Sequence, residues 1–239
     1  MKDIHDVSIY EVIDNNEQIR VYEVDGGWHS AIYLSKDKRN ELIFPYMKIT
    51  ADIYSNKQYN DVLMFGGGMF SFAKYVLAHN TNTKIDVVEI DEMAIKTAKE
   101  YFFLDEFEEE YHIHGTNRFN VFIEDAKVYI ENINKKYDFI FNDTYLGTSV
   151  VSSLVSMRYL KEAKRHMNDN GVYVANLPGK KNIKKSYLLM DTINNLNKLF
   201  KNVYLVSARG QMASDYLMNY IVAASDDELE IDNIIDYHG

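Results

Sequence analysis

Residues 61–91, DVLMFGGGMFSFAKYVLAHNTNTKIDVVEID, constrain the fold of this chain more than any other segment. Val62-Leu63-Met64-Phe65 is a continuous apolar run, the pattern of a strand buried on both faces. Gly66, Gly67 and Gly68 follow, where a chain can turn sharply and bring its backbone against a ligand. Phe70, Ala73, Lys74 and Leu77 then recur at helical spacing, and Ile85-Asp86-Val87-Val88 is a second apolar strand. It ends in Glu89, 23 positions after Gly66. The unit reads as strand, turn, helix, strand, with backbone N–H groups and a helix N-terminus beside the ligand. Glu89 stands near the separation expected of a carboxylate that accepts from ribose hydroxyls. The glycine turn alone is a weak signal, because Ser71 stands where the dinucleotide fingerprint has its third glycine. A generic α/β turn without a nucleoside is the bland alternative.

The same alternation continues to the C-terminal side. A helix is expected from Glu92 to Phe102, capped by Asp91. Asn120–Ile123 reads as a strand ending at Glu124-Asp125-Ala126, followed by a helix over 127–132. Tyr137–Phe141 is a buried strand ending at Asn142-Asp143. Four carboxylates, Glu89, Asp91, Asp125 and Asp143, thus fall at or just past successive strand ends, where open parallel sheets collect ligands. Residues 144–153 form a polar loop, and a helix over 154–167 stops at Asn168-Asp169-Asn170-Gly171. Val172–Leu177 is the fifth strand and 184–200 a helix. Strands at 203–207 and 220–224 lie too close in sequence for a crossover helix and should pair antiparallel.

Upstream, 7–12, 18–24 and 30–34 alternate as three strands of an antiparallel meander, and Pro45 opens a helix. Two regions follow, a meander over 1–44 and an α/β domain over 45–239. Trp28 and His29 read as a packed corner of the meander. His112 and His114 read as edge residues, since no carboxylate cluster of ligand spacing accompanies them. The tail over 226–239 carries Ile231, Ile234 and Ile235 and is expected to dock as a final helix.

At 239 residues with 46% hydrophobic and 26% charged, the chain has the makings of an ordinary globular core. It has no cysteine, which removes disulfides, thiolate metal sites and cysteine nucleophiles. No run is long and apolar enough for a membrane span, and Met1–Asp6 does not lead into a signal segment, so a cytoplasmic location is expected. A net charge of −10 argues against nucleic acid as a partner. The acidic run over 105–110 reads as a solvated face.

The order VLMFGGG, VVEID, a strand ending IEDA, YDFIFND, then NGVYVANL resembles the spermidine synthase (polyamine aminopropyltransferase) family. The strand pattern resembles the wider class I S-adenosylmethionine-dependent methyltransferase fold: a seven-stranded Rossmann-like sheet with an antiparallel last strand. The family also carries an N-terminal strand meander. The resemblance implies that Gly66 and Gly68 lie under a sulfonium ligand, that Glu89 binds the ribose, and that Asp125 meets the adenine amino group with Ala126 beside the ring. With Gly67, Ile90 and Asn142, these residues form the expected cofactor-binding set. Asp143 matches the first aspartate of the family's DSSDP-like motif, which orients and deprotonates the attacking amine. Tyr145 could assist it, and Tyr46 matches a tyrosine near the reacting centre. No metal ligands are implied.

Two departures stand out. The family's GGGDGG is here GGGMFS, so Met69 replaces the aspartate that holds the aminopropyl ammonium. In place of DSSDP stands Asp143-Thr144-Tyr145-Leu146-Gly147, so Leu146 replaces the second aspartate. Each lost charge-assisted contact is worth about 1.5–3 kcal/mol. The leading expectation is therefore methyl or other alkyl transfer from S-adenosylmethionine, or a related adenosyl sulfonium, to a small acceptor. Aminopropyl transfer from decarboxylated S-adenosylmethionine is the alternative. A non-catalytic scaffold that binds an adenosyl thioether such as methylthioadenosine, and an NAD-dependent oxidoreductase, are further readings. The apolar N-terminal strands and the resemblance are compatible with a homodimer.

Overall fold

The structure, a computed structural model, describes residues 6–146, 149–208 and 218–237. Strands β1 (Val7–Asp14), β2 (Glu17–Val24) and β3 (Gly27–Tyr33) form the expected antiparallel meander. The alternation puts Ile19, Val21 and Ala31 into a small core of their own. At the predicted corner, Trp28 donates its indole N–H to the Tyr10 hydroxyl at 3.0 Å. Helix α1 (Pro45–Tyr54) begins at its proline, whose missing N–H would be unpaired there in any case.

The main sheet is built from β4 (Asp61–Phe65), helix α2 (Ser71–His79), β5 (Lys84–Glu89), helices α3 (Glu92–Tyr101) and α4 (Leu104–Glu110), and β6 (Phe119–Ile123). Helix α5 (Ala126–Asn132), β7 (Tyr137–Asn142), a short hairpin of β8 (Tyr145–Leu146) and β9 (Ser149–Val150), and helix α6 (Met157–Arg165) come next. Strand β10 (Met167–Gly179), helix α7 (Tyr187–Leu196), β11 (Asn202–Ala208) and β12 (Met218–Ser225) complete it. Seven strands lie in the order β11-β12-β10-β7-β4-β5-β6. Five neighbours run parallel, and β12 lies antiparallel between β10 and β11. One apolar core under α1, α2 and α3 and another under α5, α6 and α7 cover the two faces. The apolar runs of β4 and β7 are accordingly buried on both sides.

The meander packs on this domain through Tyr22 against Phe102, with ring centroids 6.3 Å apart, and through Arg20, whose guanidinium donates to the Tyr101 carbonyl. Arg20 and Arg39 both lie over the ring of Phe103, at 5.3 and 3.8 Å.

Several boundaries differ from expectation. The acidic run over 105–110 is helix α4, anchored by buried Leu104 and Phe107 three residues apart. His112 and His114 occupy a turn, not a strand: His112 has φ +50°, and His114 faces Glu108 at 3.1 Å. Among the described residues no group of metal-ligating side chains assembles. The helix expected from 154 begins as a 3-10 turn, Ser152–Val155, and becomes α-helical at Met157, where the Ser156 hydroxyl caps it. That helix ends at Arg165, and Asn168–Gly171, expected to terminate it, is absorbed into β10 as an irregularity in its register with β7. Helix α7 is likewise shorter than expected, with a 3-10 turn at Ile183–Lys185 before it.

The described tail forms no helix. It lies extended along β11, where Ile235 N–H donates to Leu205 O at 2.8 Å and Ile234 bridges Val206. The expected reading of Met1–His5, of Gly147 and Thr148 in the 144–153 loop, and of the connection over 209–217 falls outside the described residues. Among the described residues no helix is long and apolar enough to cross a membrane.

Candidate active site

The C-terminal ends of β4, β5, β7 and β10 converge on one edge of the sheet. Gly66, just past β4, has φ +84°, and a Cβ there would lie 2.3 Å from the Asp143 carbonyl oxygen. Only glycine allows the β4 turn and the chain leaving β7 to approach so closely. The two are also tied by Asp143 N–H to Phe65 O at 2.9 Å and Gly66 N–H to Val88 O at 2.9 Å. Phe70 caps α2 in a left-handed conformation, φ +59°, with its ring buried against Phe119. Gly68, φ +51°, faces open space where a side chain would stand. The turn therefore presents bare backbone to the outside of the sheet edge, which is what a bulky ligand needs.

Glu89 closes this turn from the next strand. One carboxylate oxygen accepts from Gly67 N–H at 2.7 Å and Gly68 N–H at 3.4 Å, and the other from Asp91 N–H at 2.9 Å. An ionised carboxylate offers about four acceptor positions, so the oxygen that accepts from Asp91 alone keeps capacity for a further donor. Asp91 caps α3 through Met93 N–H. Ile90 beside them is 66% exposed, an apolar surface next to the glycine turn. Asp125 caps α5, one oxygen accepting from Lys127 and Val128 N–H groups, and Ala126 behind it is buried. These positions fit an adenosyl group: open backbone at Gly68, an exposed apolar face at Ile90, and carboxylates at either side.

Asp143 lies at the centre. Its carboxylate accepts from the Tyr46 hydroxyl at 3.1 Å on one oxygen and from the Asn176 side-chain amide at 2.8 Å on the other. Burial pushes its carboxyl up to about 6, against the pull of both hydrogen bonds. The hydroxyls of Tyr46 and Tyr145 are pushed far up, first by burial and then by the charge of Asp143. The Tyr145 hydroxyl is buried and lacks a hydrogen-bond partner among the described residues.

Asn142 does not share in this. Its amide donates to Leu154 O at 2.8 Å and the Tyr173 hydroxyl at 3.0 Å, and its carbonyl accepts from Thr144. It fastens the loop after β7 to the core instead of facing the open edge. Asn176 was not anticipated. It is 2% exposed near the C-terminal end of β10, and its carbonyl oxygen is buried without a donor among the described residues. Its signal in the sequence is a lone polar residue within the apolar strand run of residues 172–177. Met69, in contrast, is 1% exposed and belongs to the core, so it offers nothing polar at the edge.

A β12 strand antiparallel between β10 and β11, with acidic groups at the ends of β5 and β7, defines a Rossmann-like architecture of the class I methyltransferase fold. The Spermine/spermidine synthase domain family matches residues 47–233, and the chain belongs to that family. A polyamine aminopropyltransferase of Vibrio vulnificus is 31% identical over 145 residues, covering 59% of this chain and 45% of that one. The polyamine aminopropyltransferase of Thermococcus onnurineus is 25% identical over 214 residues, covering 83% and 69%. The chain thus spans from under half to about two thirds of the length of these curated relatives. The crystal structure of a probable spermidine synthase from Corynebacterium glutamicum shares the fold, with a TM-score of 0.75 at 19% identity over 93% of this chain and 78% of that one.

Proposed function

We propose that this chain is an aminopropyltransferase-type enzyme, with decarboxylated S-adenosylmethionine as donor and a small amine as acceptor. The observation that carries the reading is the carboxylate of Asp143, held by Tyr46 and Asn176 at the sheet edge beside the open glycine turn. Family membership favours this transfer over the methyl transfer that the sequence reading put first.

Gly66, Gly67, Gly68, Glu89, Ile90, Asp125 and Ala126 would hold the adenosyl half. Asp143 receives the proton of the acceptor ammonium, freeing its lone pair. The nitrogen then bonds the carbon attached to the sulfonium as the C–S bond breaks, and the electron pair returns to sulfur as a neutral thioether. A carboxyl near 6 is ionised at neutral pH yet basic enough to take that proton. Asn176 and Tyr46 fix its direction, so that most of the catalysis is alignment. The donorless carbonyl of Asn176 is free to accept an N–H of the acceptor.

A second reading, methyl or other alkyl transfer from S-adenosylmethionine, draws on Met69. Its burial in the core leaves no anion there for an aminopropyl ammonium. One assay separates the two: decarboxylated S-adenosylmethionine or S-adenosylmethionine is offered with putrescine, and products are read by mass spectrometry alongside thermal shifts. A ligand at about a hundred times its dissociation constant adds roughly 2.7 kcal/mol to native stability. Spermidine from the decarboxylated donor supports aminopropyl transfer. A shift with S-adenosylmethionine alone supports the second reading, and no shift with either ligand overturns both.

A further inference from the structure

On the face of the sheet covered by α7 lies a second cleft, of about 330 Å³, lined by Lys181, Ile183, Ser207, Met218, Tyr220 and Ile235. Its apolar walls pack with the core on that face, whereas Tyr46 packs with the core on the other. No hydrogen bond links its described residues to Asp143, Tyr46 or Asn176. The volume is at the lower end of the range for small-molecule sites.

Two features make it more than a surface crease. The Ser207 hydroxyl is buried and has no hydrogen-bond partner among the described residues, a costly state for a polar group unless something else completes it. Lys181 of the lining is one of four lysines, with Lys180, Lys184 and Lys185, that fall within six residues of a chain of net charge −10. All four are exposed, and none forms an ion pair among the described residues. Like charges so crowded repel one another.

The turn that carries them is fixed in place. The Tyr220 hydroxyl donates to Lys180 O at 2.9 Å, and Lys180 N–H donates to the Ser186 hydroxyl at 2.7 Å. Within the 3-10 turn, Ser186 N–H reaches Ile183 O at 2.9 Å. Gly179 completes the fit: a Cβ there would lie 2.7 Å from the Tyr220 ring. The turn that carries Lys181 into the lining is thus preorganised, not a loose segment.

We infer that this cleft binds a small amphipathic anion. Lys181 and the Ser207 hydroxyl hold a carboxylate or phosphate head, and Ile183, Met218, Tyr220 and Ile235 cover its apolar body. The site stands apart from the transferase reading and is tested without turnover. Hexanoate and phenyl phosphate are titrated calorimetrically into the full chain, with hexylamine as the cationic counterpart, and repeated on Lys181→Glu and Ser207→Ala. Saturable binding of at least one anion is expected, with none of hexylamine, weakened about tenfold or more in each variant. The two anions distinguish a carboxylate from a phosphate head. Binding of neither anion, equal binding of hexylamine, or affinity unchanged in either variant overturns the inference. Unaltered melting profiles of the variants show that any loss is local.

Discussion

Asp143 concentrates the proposed chemistry at one carboxyl group, and its environment makes testable demands. Because burial raises its ionisation from 3.8 to about 6, kcat/KM should rise with pH through a limb near 6 and level above it. Tyr46 and Asn176 both hold that limb down, since each donates to the ionised form. Tyr46→Phe and Asn176→Leu should therefore move the limb to higher pH, a displacement that a purely structural role would not give. Asp143→Asn should cost about 10²–10⁴ in kcat. The same substitution should stabilise the fold. The native state holds the Asp143 proton more tightly than the unfolded chain, so this group subtracts from stability as pH rises from about 4 to about 6. Above that window Asp143→Asn should unfold at higher temperature, by about 1–2 kcal/mol in free energy, while below pH 4 the difference should fade. At this scale the sequence was legible where a polar residue ends an apolar run, as at Glu89 and Asp143. It misled at Asn142, because adjacent residues on a strand point to opposite faces. Asn142 meets Tyr173 in the core and Asp143 meets Tyr46 at the edge. Asn176 escaped notice because Leu177 prolongs the apolar run beyond it.

Between elements, the tightest constraint is the contact of the β4 turn with the chain leaving β7. Gly66→Ala would force a methyl group to within 2.3 Å of the Asp143 carbonyl and hold a non-glycine residue at φ +84°. A loss of about 2–4 kcal/mol in urea unfolding is expected, with donor binding lost as well, because both partners of the contact carry site residues. A second junction lies where Lys74 of α2, 1% exposed, donates to Phe102 O at the end of α3 at 2.6 Å. Burial holds this amine down to about 7. The unfolded chain then binds the proton more readily from about 7 up to 10.5, and stability should climb with pH across that window. Comparing unfolding of the wild type and Lys74→Met from pH 7 to 10, the difference should move in favour of the wild type by roughly 1 kcal/mol per unit. Elements with sustained apolar periodicity were legible, while α4 was hidden. Its anchors Leu104 and Phe107 are too few to stand out against the acidic residues around them. The Asn-Asp-Asn-Gly stretch misled because a strand can take up turn-forming residues as an irregularity when both flanks stay paired.

Across the whole molecule, the sheet order follows from properties the sequence does carry: apolar runs for the parallel strands, strict alternation for the meander, and a short last connection. What it did not carry is the docking of the meander, which depends on single side chains reaching across, as Arg20 does to Tyr101 O. Arg20→Ala should lower the unfolding midpoint modestly, by about 1–2 kcal/mol. It should also sharpen protease cleavage in 1–44, as the meander loosens from the domain. Tyr22, whose hydroxyl is pushed up by burial and then by the charges of Asp91 and Glu89, shows how near that sheet comes to the ribose side of the proposed site.

The position of β12 has a temporal meaning. During synthesis β11 emerges before β12, yet among the described strands of its sheet its neighbour is β12, which must thread between it and β10. A nascent chain ending at residue 217 can assemble the parallel sheet while β11 waits as an unpaired strand. The edge that carries the proposed site would then be complete in outline before the sheet is, and the final commitment to the native state would fall to β12.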